Sequence, residues 1–219
     1  LPAAIVARLK RLATFANPVF YEKQRLRFPT YDTPRFLFAG EWHPDRLVLP
    51  RGVLADAQRI LEDAGASVTI HDARPAAPRI KWTFSGVLRP EQECAIQTMS
   101  KHEHGVLAAP PGSGKTVMGC ALIARHRTST LVLVHRAVLL DQWRQELMRF
   151  LGLKKKEIGV LRGKTGKRTG RIDIAMLPSL ARAENPAAIF AEYGLITVDE
   201  CHHVPAVSFE ALLKVCTSR

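Results

Sequence analysis

In the second half of the chain, short apolar runs alternate with longer segments whose apolar residues recur at helical spacing. Runs of the first kind are typical of strands buried on both faces, and segments of the second kind are typical of helices. The predicted strands are residues 106–109, 131–135, 158–161, 172–175 and 195–198. The predicted helices are residues 115–126, 138–151 and 209–216, with a short helix that starts at Asn185-Pro186. Strands separated by helices predict an α/β domain whose parallel sheet is covered by helices on both faces.

The first 80 residues follow a different pattern. Residues 1–16 carry apolar side chains at helical spacing with basic residues on the other faces, and Asn17-Pro18 is expected to end this helix. A small α+β (ββαβ) accessory domain is predicted next, from strands at residues 35–39, 46–49 and 68–70 and a helix at residues 54–64. We therefore predict a basic helical arm over residues 1–30, the accessory domain over residues 31–80 and the α/β domain over residues 81–219.

The charge of the chain favours a polyanionic partner. The chain has 32 Lys and Arg residues against 20 Asp and Glu residues, a formal net charge of +12. Each phosphate that a basic side chain neutralises releases counterions, so such a balance is typical of proteins that bind nucleic acid. No apolar run reaches the length of a membrane span, so no membrane partner is expected. The four cysteines form no CxxC pair, and we expect reduced thiols in a cytoplasmic, nucleic-acid-associated protein.

Residues 109–116, Ala-Pro-Pro-Gly-Ser-Gly-Lys-Thr, form a Walker A loop in which Ala109 replaces the first glycine. Glycines in such a loop let backbone N–H groups converge on phosphate at the start of the following helix. Lys115 is expected to reach the β- and γ-phosphates of ATP, and the Thr116 hydroxyl is expected to bind Mg²⁺. The residues predicted to contact the nucleotide are Pro111, Gly112, Ser113, Gly114, Lys115 and Thr116.

A Walker B pattern follows later in the chain. The apolar run of residues 195–198 delivers Asp199 and Glu200 at the carboxyl end of a predicted strand. Ligands of open α/β sheets bind at this end of the strands, so Asp199 is expected to face the same crevice as Lys115. Asp199 would then hold the Mg²⁺ of ATP, and Glu200 would polarise the attacking water.

Residues 199–202, Asp-Glu-Cys-His, resemble the DEAD/DEAH box of superfamily 2 helicases in its DECH form. The resemblance covers most of residues 86–219. Within the superfamily, the chain is similar to the XPB-like group and its type III restriction helicase relatives. The resemblance implies a RecA-like P-loop domain in which Lys115 and Glu200 are catalytic. It also implies that the box histidine, His202, couples the ATP site to the rest of the motor.

Three further segments carry the same resemblance. Residues 88–92, Leu-Arg-Pro-Glu-Gln, are similar to the segment that precedes Walker A, which implies that Gln92 contacts the adenine edge. Residues 133–143 and 174–180 resemble segments that follow the nucleic-acid backbone, although Leu-Pro replaces the usual Tyr-Gln at positions 177–178. The backbone contacts implied are His135, Arg136, Gln142 and Ser179.

Residues 162–171 form a basic loop between two predicted strands. Residues 149–171 hold nine basic residues and one acidic residue, Glu157. Such a loop is either a solvated hairpin tip or a phosphate-contacting loop, and the flanking segments favour contact. The residues expected at the rim of a nucleic-acid face are Lys164, Lys167 and Arg168.

The leading functional hypothesis is an ATP-dependent DNA helicase or translocase. An RNA helicase, and a nucleotide-gated DNA-binding module without unwinding activity, are the alternatives. The chain ends at Arg219, about where the next helicase motif would follow, so the second RecA-like domain with its arginine fingers is expected to lie outside it. Because an arginine finger adds on the order of a thousandfold to turnover, we expect ATP binding with weak hydrolysis.

Overall fold

The computed structural model describes residues 1–163, 166–201 and 207–216, with only the backbone described for residues 207–210. Two units are distinguished, Leu1–Asp72 and Ala73–Arg219. Lys164 and His202 therefore lie outside the described residues.

The first unit is a small α+β arrangement of three helices and two antiparallel strand pairs. β1 pairs with β2, and β3 pairs with β4. In chain order the elements are α1 (Ala3–Leu12), β1 (Thr14–Ala16), α2 (Pro18–Arg25), β2 (Phe36–Phe38), β3 (Glu41–Trp42), β4 (Leu47–Val48) and α3 (Leu54–Asp63).

The strand pairing of this unit differs from the predicted ββαβ order. The pairing of β1 with β2 joins residues 1–30 to the rest of the unit. Asn17 begins a helix and was predicted to end one. Its Oδ1 accepts the N–H of Val19 at 3.1 Å and so caps α2, and Pro18 lies in the first turn of that helix. Asn followed by Pro is a helix start signal as much as a stop signal, which explains the wrong prediction. No strand forms at residues 68–70.

The second unit is a parallel sheet with helices on both faces. Its described strands run in the order β6-β7-β5-β8, and every pairing is parallel. The elements are α4 (Pro90–Met99), α5 (Lys115–His126), β5 (Thr130–Val134), α6 (Ala137–Leu151), β6 (Gly159–Leu161), β7 (Ile172–Met176), α7 (Leu177–Leu180), α8 (Pro186–Phe190), β8 (Leu195–Val198) and α9 (Val207–Lys214).

Alternate residues of β5 are divided between two cores. Val132 and Val134 pack with the buried side chains of α5 and α6, whereas Leu131 and Leu133 pack with those of α7, α8 and α9. Successive side chains of a strand point to opposite faces, so a continuously apolar strand requires cover on both sides. The prediction of a parallel sheet covered on both faces is confirmed.

In the second unit, two helix ends follow the predicted signals, and one strand prediction was wrong. Gly152 ends α6 in the left-handed conformation, with φ of +65°, and the Asn185 side chain caps α8. Residues 106–109 form no strand, and Val106 is 77% exposed. Pro110-Pro111 follow this segment directly and supply no N–H donors for a ladder. Among the described residues, no helix combines the length and apolar character needed to cross a membrane.

Candidate ATP site and nucleic-acid face

The Walker A loop leads directly into α5. Gly112 and Gly114 have φ of +78° and +81°, a region that glycine adopts without steric cost. α5 begins at Lys115, so the N–H groups of its first turn, which have no partners within the helix, lie at the loop. The Lys115 ammonium donates to the carbonyl of Ala109 at 3.0 Å. This arrangement of loop, helix start and lysine fits a phosphate group.

The predicted Walker B residues leave the sheet at the end of β8. The N–H of Asp199 donates to the carbonyl of Leu133 at 2.9 Å, which continues the pairing of β8 with β5 by one residue. Glu200 then takes a φ of +53°, and its N–H donates to Asp199 Oδ1 at 3.0 Å. Both residues therefore lie at the carboxyl edge of the sheet.

Two consecutive residues of α6 link the Walker A and Walker B segments. Gln142 Nε2 donates to the Thr116 hydroxyl at 3.5 Å, and Trp143 Nε1 donates to Asp199 Oδ2 at 2.8 Å. The same helix therefore contacts both Walker segments. A hydroxyl and a carboxylate are the oxygen ligands that Mg²⁺ prefers, so this pair fits the predicted ion.

Gln92 lies against the Walker A loop. Its Nε2 donates to the carbonyl of Ser113 at 2.7 Å, and its Oε1 accepts the N–H of Arg89 at the start of α4. A Cβ atom at Gly114 would lie 2.6 Å from Gln92 Nε2, so the close contact is a second reason for glycine there. The structure thus gives Gln92 a role in supporting the loop, and its contact with adenine stays a prediction.

The carboxyl edge of the sheet also holds the predicted backbone-contacting residues. His135 and Arg136 follow β5, and Ser179 lies in α7 directly after the neighbouring strand β7. The Ser179 hydroxyl accepts the N–H of Gly163 at 2.8 Å, which joins α7 to the start of the basic loop. Gln142, in contrast, contacts Thr116 of the ATP site.

The described part of the basic loop folds back on its own strand. Lys167 forms an isolated antiparallel bridge with Val160 of β6. Arg168 forms an ion pair with Glu192, and both side chains are partly exposed. Lys167 and Arg168 are both exposed, but Arg168 pairs with Glu192, which precedes β8 and so lies toward the amino edge of the sheet.

A buried carboxylate fixes the end of this loop, and sequence reasoning missed it. Asp173 of β7 is fully buried and accepts the N–H groups of Thr169 and Gly170 at 3.0 Å and the Thr169 hydroxyl at 2.6 Å. It also accepts the Tyr193 hydroxyl. Burial, together with the Asp173 carboxylate, raises the pKa of the Tyr193 phenol, so its hydroxyl stays protonated and donates. One acidic residue within an apolar strand was the available signal.

Comparison with known proteins shows that the second unit matches a protein family. Residues 85–219, more than half of the chain, match the family described as type III restriction enzyme, res subunit. The crystal structure of the UvsW helicase from bacteriophage T4 superimposes with a TM-score of 0.65 at 15% identity, covering 99% of this chain and 84% of that one. At this identity the likeness supports the fold alone.

Curated relatives include helicases from archaea, bacteria and a virus. The chain is 38% identical over 183 residues to the putative DNA 3'-5' helicase Rad25 of Halobacterium salinarum, covering 83% of this chain and 28% of that protein. It is 34% identical over 128 residues to the DNA 3'-5' helicase XPB of Kineococcus radiotolerans, covering 56% and 23%. It is 30% identical over 141 residues to a putative ATP-dependent RNA helicase of Acanthamoeba polyphaga mimivirus, covering 63% and 27%. The aligned part is about a quarter of each relative.

Proposed function

Because the chain belongs to the type III restriction enzyme res subunit family and carries an XPB-like first domain of superfamily 2 helicases, we propose that it binds MgATP and nucleic-acid backbone. In the whole protein, ATP bound at the first site would be hydrolysed, and the hydrolysis would be coupled to movement along the bound DNA. The chain spans about a quarter of the length of the relatives it matches, so the activity of the whole protein is also a proposal.

The proposal is carried by the link between the two Walker segments. Gln142 contacts Thr116 and Trp143 contacts Asp199, so one helix, α6, supports a hydroxyl and a carboxylate from distant parts of the sequence. Lys115 begins α5 beside them and supplies the positive charge that phosphate requires. This combination is what a nucleoside triphosphate with a divalent cation needs.

Each residue of the site has a separate role in the proposed reaction. The Walker A N–H groups and Lys115 bind and orient the phosphates, while Thr116 and Asp199 would hold Mg²⁺. When bound, Mg²⁺ supplies charge that stabilises the phosphoryl group during transfer. Glu200, next to Asp199, orients water and accepts its proton.

DNA is the proposed nucleic-acid partner. Two of the relatives described above are named DNA helicases, and they align with up to 83% of this chain. The viral relative is named an RNA helicase, which keeps RNA as the second candidate. His135, Arg136 and Ser179, with the basic loop, would contact phosphates rather than bases, so binding would be independent of sequence.

Replacing the Walker A lysine tests the ATP site. Lys115→Ala is expected to abolish binding of MgATP, since no other side chain of the loop can neutralise the β- and γ-phosphates. The measurement is isothermal titration calorimetry with MgATP. Lys101→Ala is the matched control, because Lys101 is exposed in the same unit and lies outside the loop. Unchanged affinity in Lys115→Ala would refute the assignment of the loop.

A further inference from the structure

We propose that Trp143 is a positioning residue for the Mg²⁺ site, because its indole N–H fixes the orientation of the Asp199 carboxylate. The inference rests on the proposed binding of MgATP and adds to it a residue that acts through Asp199. It also assigns a route by which α6, whose amino end lies at the proposed nucleic-acid face, bears on the ATP site.

Both oxygens of the Asp199 carboxylate accept defined hydrogen bonds. Trp143 Nε1 donates to Oδ2 at 2.8 Å, and the N–H of Glu200 donates to Oδ1 at 3.0 Å. Two donors on different oxygens fix the rotation of the carboxylate about its final bond. Each carboxylate oxygen has two lone pairs, so one direction on each remains for a metal ion or its water.

The indole of Trp143 is itself held by packing. Trp143 is only 2% exposed and belongs to the core that includes Ile123 of α5 and Leu147 of α6. A Cβ atom at Gly119 would lie 2.5 Å from Trp143 Cη2, so the far edge of the ring lies directly against the backbone of α5. The direction of the N–H is therefore determined by the core, and its only hydrogen-bonding function is donation.

The same helix contacts the other predicted Mg²⁺ ligand. Gln142 donates to the Thr116 hydroxyl at 3.5 Å, at the long end of hydrogen-bonding distance. α6 starts directly after Arg136, one of the residues proposed to contact nucleic acid. A displacement of α6 on nucleic-acid binding would therefore reach Thr116 and Asp199 through adjacent side chains.

Removing the indole N–H tests the inference. Trp143→Phe retains most of the ring packing and loses the donor to Asp199. Partners that orient a metal ligand typically affect metal affinity 10- to 100-fold, so affinity for ATP in the presence of Mg²⁺ is expected to fall about tenfold. Affinity for ATP in the presence of EDTA is expected to stay unchanged. Both are measured by calorimetry.

A matched control is available in the same unit. Trp82 is 7% exposed and donates its indole N–H to the carbonyl of Thr128 at 2.9 Å. Trp82→Phe removes a similar buried hydrogen bond away from Asp199 and is expected to leave both affinities at the parent values. Equal losses with and without Mg²⁺ in Trp143→Phe, or equal losses in the two variants, would overturn the inference.

A second measurement uses the unaltered protein and does not depend on folding of a variant. In the ¹⁵N-labelled chain, the indole resonance of Trp143 is expected to shift when Mg²⁺ is added to the ATP-bound form. The indole resonances of Trp42 and Trp82 are expected to stay in place. An unmoved Trp143 resonance with MgATP bound would refute the inference alone, whereas a parent chain that binds no MgATP would refute the proposed function.

Discussion

At the scale of single residues, the backbone of Glu200 is unusual. Among the described residues, Glu200 is one of three non-glycine residues with positive φ, and such a conformation costs about 1–3 kcal/mol. In a continuing strand, Asp199 and Glu200 would point to opposite faces of the sheet. The turn at Glu200 ends the strand instead, and the N–H of Glu200 bonds to the Asp199 carboxylate. The positive φ of Glu200 therefore ends the alternation of β8 directly after Asp199.

Replacement of Glu200 separates nucleotide binding from chemistry. Glu200→Gln is expected to retain ATP affinity, because the amide has the same shape and Asp199, Thr116 and Lys115 remain. Release of phosphate is expected to fall about 10²- to 10⁴-fold, or to background, because an amide cannot accept the proton of water. The measurements are calorimetry and single-turnover phosphate release.

The control for this prediction is Glu184→Gln, an exposed glutamate of the same unit. Phosphate release in the control is expected to match the parent. A Glu200→Gln variant that hydrolyses ATP at the parent rate would show that another group accepts the proton.

Residue identities at the ATP site were predictable because the chemistry restricts them. A phosphate loop needs glycine at Gly112 and Gly114, and the positive φ values there confirm that reason. Trp143 is only the last residue of the segment 133–143 in the sequence, and nothing in its sequence neighbourhood reveals a partner 56 positions away. Contacts at that separation depend on how α6 packs against the sheet, which local pattern does not specify.

At the scale of elements, the basic loop is anchored by the strand that follows it. Four donors from Thr169, Gly170 and Tyr193 converge on the buried Asp173 carboxylate. A Cβ atom at Gly159 would lie 2.0 Å from Asp173 Oδ1, so β6 requires glycine where it passes this carboxylate. The end of the loop is therefore fixed by a buried polar network rather than by apolar packing.

Replacement of Asp173 is expected to release the loop. In Asp173→Asn, an amide donor replaces an acceptor that faces several other donors, and each buried unsatisfied group costs about 1–3 kcal/mol. We expect a loss of unfolding free energy of that size in urea. The backbone amides of Thr169 and Gly170 are expected to lose protection from hydrogen exchange.

Tyr193→Phe provides the comparison for this prediction. It removes one donor and leaves the two backbone N–H bonds of Asp173 intact, so we expect a loss of about 1 kcal/mol. Protection of Thr169 and Gly170 is expected to persist in this variant. Full protection of both amides in Asp173→Asn would contradict the proposed anchor.

Elements with local signals were predicted well, and elements that depend on distant partners were not. Gly152 and Asn185-Pro186 mark helix ends through their own backbone preferences, and both were placed correctly. The pairing of β1 with β2 brings together Thr14 and Phe38, and no turn residue between them specifies that register. Two strands this short have too little alternation to identify their partners.

At the scale of the whole molecule, the net charge of +12 predicts that affinity for nucleic acid depends on salt concentration. Replacement with Gln of three basic residues, Lys164, Lys167 and Arg168, is expected to weaken the binding of nucleic acid. The loss is expected to be about equal for nucleic acids of different base sequence. Each lost phosphate contact is expected to reduce the log–log slope of affinity against salt by about 0.7 to 0.9. Because Arg168 already pairs with Glu192, its share is expected to be smaller than that of Lys167. Fluorescence anisotropy across a salt series measures the slope.

The matched control removes the same charge from the segment that precedes β6. Lys154, Lys155 and Lys156 are exposed and precede β6, whereas the basic loop follows it. Their replacement with Gln is expected to change the slope less. Equal changes in the two triple variants would indicate a general charge effect, and an unchanged slope in the loop variant would leave the loop as a solvated hairpin. DNA and RNA of one sequence, tested side by side, distinguish the two candidate partners.

The return of the basic loop has a consequence for solubility. β6 lies at one edge of the described sheet, and an unprotected edge strand can pair with a strand of another molecule and aggregate. Here the N–H of Val160 donates to the carbonyl of Lys167 at 3.0 Å, so the loop occupies part of that edge with its own backbone. A Cβ atom at Gly166 would lie 2.6 Å from the carbonyl oxygen of Val160. Glycine at this position therefore allows the two segments to approach closely. The loop thus shields the sheet from intermolecular strand pairing, whatever its lysines bind.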